Sequence, residues 1–179
     1  MNIIETEIEG LLIIEPDVFK DSRGYFLETY TSTKYNLPNV AAFVQDNEAQ
    51  SDLGVLRGLH FQNGDAAQGK LVRVVKGAVY DVAVDIRPGS ETFGVPFGII
   101  LTGENKKQLW VPRGFAHGYL VLEDETIFSY KCDNFYNKSA EGGIHYDDPD
   151  LAIPWPTLKK PYLVSEKDQV LGTLHALLK

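Results

Sequence analysis

The chain has 179 residues, of which 44% are hydrophobic and 23% are charged, as is ordinary for a soluble globular protein with a sizeable core. Its formal net charge of -8 argues against a nucleic-acid partner, and it means that an anionic ligand would need a local group of basic side chains. The single cysteine, Cys132, excludes an internal disulfide and fits a cytoplasmic location.

The N-terminal stretch MNIIETEIEG is too acidic for a signal peptide, and no apolar run approaches transmembrane length, so no membrane partner is expected. Short apolar or alternating segments then follow one another, rich in Val, Ile, Tyr and Phe and separated by Gly, Pro, Asp or Asn. This pattern predicts an antiparallel all-β sandwich or closed barrel. Because no internal repeat or low-complexity linker interrupts it, residues 1–179 are expected to form a single domain. The segments are 11–16, 24–30, 39–45, 54–61, 70–77, 78–87, 94–103, 107–112, 118–124 and 126–132.

The segment GVLRGLHFQ carries Arg57 and His60 among apolar residues. Side chains of a regular strand alternate between its two faces, so residues three positions apart would point to opposite sides. Gly58 lies between them, and a β-bulge at this glycine would insert one residue and change the alternation. We therefore expect both side chains to face the barrel interior.

The next charged strand, AVYDVAVDIR, places Asp81 and Asp85 on one face and apolar residues on the other. Taken alone, this alternation favours a strand with one face in water. If the acidic face lines a barrel instead, its carboxylates need partners there, and Arg57, Lys70 and Arg73 are available.

The C-terminal segment SEKDQVLGTLHALLK spaces its apolar residues as a helix does, and a short C-terminal helix against the barrel is expected. Ser165 and Asp168 have the spacing of a capping box. From the residues alone, Asp168 is better explained by helix stabilisation than by catalysis.

Histidines in a β-barrel raise the question of a metal. The segment PRGFAHGYLV is similar to the second motif of the cupin family, but Val121 replaces the asparagine of the metal-binding form. His60 is followed by Phe61 and Gln62, so the His-x-His pair of the first cupin motif is absent. Since a first-row metal generally needs three or four converging ligands, we expect a cupin-type barrel without metal.

Without a metal, His60 either acts by its own acid–base chemistry or is structural. A lone histidine in a barrel is more often a hydrogen-bonded core residue. Several buried polar groups in one small barrel are costly, however, unless they form a site. The polar residues in or beside apolar segments are Arg57, Lys70, His117, Tyr130 and Glu141.

These residues lie in a series of motifs through which the chain resembles the dTDP-4-dehydrorhamnose 3,5-epimerase family over nearly its whole length. Three positions depart from the family pattern: Glu48 and Ala49 follow QDN, and Tyr119 replaces a common phenylalanine. The matching runs are DSRGYFLE (21–28), QDN (45–47), GVLRGLHFQ (54–62), GKLVRV (69–74), VYDVAVDIRPGSETFG (79–94), QLWVPRGFAHGY (108–119), SYKCDNFY (129–136), SAEGGI (139–144), IPWP (153–156) and SEKD (165–168).

The resemblance implies a jelly-roll cupin that needs no cofactor and inverts C3 and C5 of dTDP-4-dehydro-6-deoxy-D-glucose in dTDP-L-rhamnose synthesis. It implies that His60 is the general base, Tyr130 the general acid and Lys70 the group that stabilises the enolate, with Asp168 paired to His60. It also implies a homodimer in which the N-terminal strand completes the partner's site. The implied substrate contacts are Arg23, Phe26, Glu28, Gln45, Asp46, Asn47, Arg57, His117, Tyr136, Glu141 and Lys167.

Three alternatives stay open. A 3- or 5-monoepimerase of another dTDP-4-keto-deoxyhexose would use the same base and the same enolate. A cupin that binds a nucleotide sugar or a partner without catalysis is disfavoured by the presence of His60, Lys70 and Tyr130 together. A metal-dependent cupin oxygenase would be recognised by metal analysis of the purified protein.

Overall fold

The computed structural model describes residues 1–38, 40 and 42–178, and within them it contains fourteen β-strands and no α-helix. The early strands are β1 (Asn2–Glu5), β2 (Leu12–Glu15), β3 (Val18–Asp21), β4 (Gly24–Leu27), β5 (Gln45–Ser51), β6 (Val55–Gln62) and β7 (Lys70–Lys76). The later strands are β8 (Ala78–Asp85), β9 (Pro96–Thr102), β10 (Gln108–Val111), β11 (Phe115–Val121), β12 (Thr126–Cys132), β13 (Glu141–Gly143) and β14 (Leu163–Val164).

Two sheets form the barrel. The first has the strand order β1-β2-β10-β7-β12-β5, and the second has the order β13-β6-β11-β8-β9, with β14 added to β6. Val72 and Leu109 of the first sheet pack with Val79, Ala83 and Val121 of the second in one buried cluster. All pairs are antiparallel except β14 with β6, so the predicted antiparallel jelly-roll barrel of the cupin type is confirmed.

The strand in this part of the chain is polar, whereas the sequence predicts an apolar strand at residues 39–45. Residues 42–44 of the predicted segment 39–45 are irregular, and Asn39 and Ala41 lie outside the described residues. The strand is β5 instead, which pairs with β12 along its whole length. Its sequence QDNEAQS turns Asn47 and Ala49 inward and exposes Asp46, Glu48 and Gln50, so it has the period of a strand without the apolar residues that usually reveal one.

The bulge expected in β6 is confirmed. His60 pairs with His117 across β6 and β11, whereas Arg57 pairs with Tyr119, so three steps on β6 match two steps on β11. Gly58 lies at this irregularity with φ of +119°. Because of the extra residue, Arg57 and His60 both face one cavity, as the sequence predicts.

The C-terminal segment differs from the continuous helix that its spacing predicts. It contains two short 3₁₀ helices, Asp168–Val170 and Leu174–Leu178, separated by an extended stretch. Backbone groups in this stretch and at the start of the second helix bond to residues that follow β13: His145 N–H donates to Gly172 O, and Leu174 N–H donates to Asp148 Oδ2. These bonds replace those a longer helix would make within itself. Among the described residues, no helix is long and apolar enough to cross a membrane.

Replacing Gly58 by alanine tests the bulge. A Cβ at this position would lie 2.6 Å from Gly118 Cα and 2.8 Å from His117 O. We expect Gly58→Ala to lower the free energy of unfolding by about 3 kcal/mol and the Tm by roughly 6–12 °C. The steric clash of the added Cβ and the strain of a positive φ at alanine both contribute to this loss. Gly24→Ala is the matched control, since Gly24 has φ of +127° and no atom within 4 Å of the added Cβ. Equal losses in the two variants, measured by thermal denaturation, would contradict a close approach at Gly58.

Candidate active site

A cavity of about 600 Å³ lies between the two sheets. Its wall includes the four residues expected to be catalytic, and among the expected substrate contacts it includes Asn47, Arg57, His117 and Lys167. A neighbouring cavity of about 270 Å³ shares part of this wall. The residues common to both are Asn47, His60, Lys70 and Tyr130, and the smaller cavity adds Gln45, Tyr136 and Glu141. The fold therefore brings together most of the residues that the motifs single out.

His60 is paired with Asp168 at the wall of the cavity. The His60 Nε2 atom lies 2.8 Å from Asp168 Oδ1, and the Asp168 side chain is buried. With Nε2–H donating to this carboxylate, the lone pair of the ring is on Nδ1. Burial of the ring lowers the pKa of His60 below its ordinary value, against the opposing effect of Asp168. The histidine is therefore neutral at neutral pH, as a general base must be.

Asp168 is held by the strand that carries its partner. Its second oxygen, Oδ2, accepts a hydrogen bond of 3.1 Å from Gly58 N–H, within the bulge of β6. Its own N–H donates to Ser165 Oγ at 3.1 Å, which is one half of the predicted capping box. The carboxylate makes no return bond to Ser165 and bonds β6 instead, so the interpretation of Asp168 as only a helix-stabilising residue is wrong.

A second histidine–carboxylate pair lies deeper in the barrel. His117 Nε2 is 2.9 Å and 3.0 Å from the two oxygens of Asp81, and both residues are buried. The interpretation of Asp81 as part of a face in water is wrong, because this face of β8 packs inside the barrel with Ala83. The carboxylate is satisfied by His117 rather than by an arginine or lysine.

Asp81 was not singled out as a site residue from the sequence. Apolar residues on the other face of β8, Val82 and Val84, are also buried, in a second cluster under the C-terminal segment. A strand with both faces covered cannot leave a carboxylate in water. The small residue Ala83 beside Asp81 was the available signal, since an interior face with a cavity needs small side chains.

Lys70 and Tyr130 face the same space from the first sheet. Burial lowers the pKa of Lys70, while the sulfur of Cys132 and the carboxylates of Asp81 and Glu141 act in the opposite direction. Burial also raises the pKa of Tyr130, so its phenol is neutral and able to donate at neutral pH. The two residues therefore place a lysine amine and a neutral phenol donor in one partly dehydrated cavity.

The smaller cavity is edged by a chain of hydrogen bonds. Lys167 donates to Glu141 Oε1, and the Tyr136 hydroxyl donates to Glu141 Oε2 at 3.1 Å. Hydrogen bonding to Lys167 lowers the pKa of Glu141. Gln45 continues the chain, because its Oε1 accepts from Tyr136 N–H at 3.0 Å and its Nε2 donates to Asn47 Oδ1 at 3.1 Å. Polar groups are thus already oriented along this edge.

Four of the expected contacts line neither of these two cavities. Arg23 and Phe26 project from the β3–β4 hairpin, with Arg23 paired to Asp21 and the Phe26 side chain exposed. Glu28 is paired with Lys34. The fourth, Asp46, points to the outer face of the first sheet and pairs with Lys131. Within one chain, these four residues do not meet the His60–Asp168 pair.

In the part of the chain that the structure describes, no three His, Cys, Asp or Glu side chains are grouped in a way that could hold a metal ion. Two of the histidines, His60 and His117, each have a carboxylate partner instead.

Comparison with known proteins gives consistent matches. The family model described as dTDP-4-dehydrorhamnose 3,5-epimerase matches residues 5–176. A protein of that name from Escherichia coli (strain K12) is 50% identical over 181 residues, covering 100% of this chain and 97% of that protein. The crystal structure of a dTDP-6-deoxy-D-glucose-3,5-epimerase from Legionella pneumophila Philadelphia 1, in complex with dTDP-4-keto-L-rhamnose, is 50% identical with a TM-score of 0.93 and covers 97% of this chain and 93% of that chain.

A single-centre epimerase has a similar structure at lower identity. The crystal structure of a 3'-monoepimerase from Streptomyces bikiniensis, in complex with dTDP-quinovose, is 32% identical with a TM-score of 0.89. The match covers 96% of this chain and 87% of that chain. The fold is therefore common to both types of epimerase, and sequence identity favours the double epimerases.

The His60–Asp168 contact predicts a specific change in titration. In Asp168→Asn, we expect the pKa of His60 to fall below its wild-type value, because the hydrogen bond and the negative charge that oppose the effect of burial are lost. NMR titration of the His60 ring measures this shift. Asp81→Asn, which alters the other histidine–carboxylate pair, should leave the pKa of His60 nearly unchanged. An unchanged or raised pKa in Asp168→Asn would contradict the contact.

Proposed function

The chain belongs to the dTDP-4-dehydrorhamnose 3,5-epimerase family, and from this premise we propose that it converts dTDP-4-dehydro-6-deoxy-D-glucose into dTDP-4-dehydro-L-rhamnose. The observation that carries the proposal is the placement of the His60–Asp168 pair with Lys70 and Tyr130 on one cavity. These residues supply the base, the charge and the acid that inversion beside a ketone requires.

Proton removal is the first requirement. C3 and C5 of the substrate both flank the C4 ketone, so loss of either proton gives an enolate with negative charge on O4. His60 is the proposed base, and this role is supported by its neutral ring and by the Asp168 hydrogen bond on Nε2, which leaves Nδ1 to accept the proton. Asp168 also stabilises the imidazolium that forms.

Stabilisation of the enolate is the second requirement, since a histidine is far too weak a base for an unactivated C–H bond. Lys70 is the proposed source of charge at O4, because its ammonium lies in a cavity where burial strengthens electrostatic interactions. The lowered pKa of Lys70 also eases donation of a proton to the enolate oxygen.

Reprotonation from the opposite face is the third requirement. Tyr130 is the proposed acid, and its position supports this role: it is on β12 of the first sheet, whereas His60 is on β6 of the second. A sugar ring held between the sheets therefore meets the base on one face and the phenol on the other. One base and one acid can serve both carbons if the ring shifts between the two inversions, and if His60 releases its proton to solvent and Tyr130 regains one from solvent before the second.

The proposal includes a homodimer with shared sites. The Arg23 and Phe26 side chains are exposed on the β3–β4 hairpin and line neither of the two cavities that His60 lines. The hairpin also exposes Phe19 and Tyr25, and an apolar surface of this kind favours contact with another protein surface. We infer that Arg23, Phe26 and Glu28 reach the partner's site, where the arginine contacts the diphosphate and the phenyl ring packs on the base. The reducing compartment suggested by the single cysteine is compatible with a cytoplasmic enzyme.

Deuterium uptake from D₂O tests the function. With substrate and wild-type enzyme, NMR should show deuterium entering both C3 and C5, whereas uptake at one carbon alone would indicate a monoepimerase. His60→Asn should lose at least about 100-fold in rate, because it removes the base, and should still bind dTDP. Near-native exchange at both carbons in His60→Asn would contradict the assigned base.

Mixing two impaired variants tests the shared site, with activity measured at a substrate concentration too low to saturate Arg23→Ala. Arg23→Ala should weaken substrate binding more than it slows the chemical step. When Arg23→Ala chains are mixed with His60→Asn chains, each hybrid dimer should hold one doubly altered site and one intact site, so activity should partly return. Subunit exchange is verified by native mass spectrometry with differently sized tags. No recovery after verified exchange would place Arg23 in the site of its own chain or outside any site.

A further inference from the structure

The hydroxyl of Tyr119 is a polar group in the large cavity that the mechanism does not use. Tyr119 lines this cavity and is only 6% exposed. Its hydroxyl makes no hydrogen bond to any residue that the structure describes. Among the described residues, the fully enclosed side-chain polar atoms that lack a hydrogen-bond partner are Gln108 Oε1 and Trp110 Nε1, and the Tyr119 hydroxyl is not one of them. The hydroxyl therefore opens onto the cavity itself.

The ring that carries this hydroxyl is held in place. Tyr119 stacks on Phe128 with ring centroids 4.0 Å apart and planes inclined by 20°. Its backbone is opposite Arg57 across β6 and β11, and the Arg57 guanidinium is directed to Ser51 Oγ through Nε and Nη2. Burial raises the pKa of Tyr119, so the phenol is a neutral hydrogen-bond donor. A fixed donor in a dehydrated cavity is suited to recognising an oxygen atom of a ligand.

The location of Tyr119 indicates which part of the ligand its hydroxyl contacts. The reacting carbons must lie near His60, Lys70 and Tyr130, which line both cavities. Tyr119 lines only the larger one and packs within the apolar core cluster. The cations Arg57 and Lys167 on the wall of this cavity are suited to a diphosphate, whereas the neutral Tyr119 hydroxyl beside the Phe128 ring is suited to the methyl group and neutral hydroxyls of a 6-deoxyhexose.

We propose that Tyr119 is a specificity-determining residue whose hydroxyl donates a hydrogen bond to a hydroxyl oxygen of the hexose. This inference rests on the proposed function and adds a contact to the sugar beyond the family's acid–base set. A site that bonds a sugar hydroxyl rejects a sugar lacking it, because the buried donor is then left without a partner. Tyr119 would thus distinguish between nucleotide sugars that share dTDP but differ in the hexose.

Calorimetric titration of Tyr119→Phe with two ligands tests the contact. The variant removes only the hydroxyl and keeps the stacked ring. For dTDP-glucose, which carries a hexose, we expect affinity to fall roughly threefold to tenfold, as for loss of one hydrogen bond. For dTDP, which lacks the sugar, affinity should stay unchanged. With the epimerase substrate, KM should rise by a similar factor while kcat changes less, because the bond is present both before and during the reaction.

Tyr80→Phe is the matched control. Tyr80 is on the neighbouring strand β8, packs against Trp155 with ring centroids 5.8 Å apart, and does not line either cavity. Removing its hydroxyl should leave both affinities unchanged. Equal loss of dTDP and dTDP-glucose affinity in Tyr119→Phe would place the bond on the nucleotide and overturn the proposal, as would no loss for either ligand. Failure of the wild type to bind dTDP would instead contradict the proposed function.

Discussion

The close approach of two glycines is the constraint on which the site depends. An added Cβ on Gly58 would lie 2.6 Å from Gly118 Cα, and one on Gly118 would lie 2.7 Å from Arg57 O, so β6 and β11 tolerate no side chain at this point. The resulting bulge turns Arg57 to the same side as His60. It also directs Gly58 N–H to Asp168, so one irregularity both aligns the polar side chains and holds the carboxylate behind the histidine.

Burial then sets the chemistry of these side chains. The two histidine–carboxylate pairs differ in depth: His117 and Asp81 are both enclosed, whereas the His60 ring is partly open to the cavity. A buried carboxylate needs hydrogen bonds, and Asp81 finds both of its contacts on a single nitrogen of His117. The partly open His60 ring remains free to exchange a proton with a ligand. The enclosed His117–Asp81 pair is suited to forming a rigid part of the cavity wall, and the partly open His60–Asp168 pair is suited to proton transfer.

The sequence predicted the barrel and the bulge, because alternation in apolar strands and a glycine between two polar residues are local signals. Of the residues on the cavity wall, Asn47 and Lys167 were expected only from the family resemblance. Prediction from the sequence failed where contacts between residues far apart in the chain determine the local structure. The polar strand β5 is held by β12 rather than by its own apolar residues. Asp81 is interior because both faces of β8 are covered, which no local pattern shows. The predicted helix after Ser165 is interrupted because Gly172 and Leu174 bond to the barrel. Catalytic roles came from the family resemblance, since spacing alone favoured a helix cap for Asp168.

The last segment of the chain is therefore part of the site rather than an appendage. Asp148 Oδ2 accepts from Leu174 N–H, while Oδ1 of the same buried carboxylate accepts from Asp150 N–H at 2.9 Å, so one side chain ties this segment to a turn of the barrel. The bridge between Ile144 and Gly172 adds a second attachment directly after β13. Asp168 lies four residues before Gly172 in the same segment. Because its oxygens reach both His60 and the bulge, the orientation of the base depends on residues more than a hundred positions away in the sequence. The segment that carries this carboxylate is thus bonded to the barrel both at Asp168 and at Gly172 and Leu174.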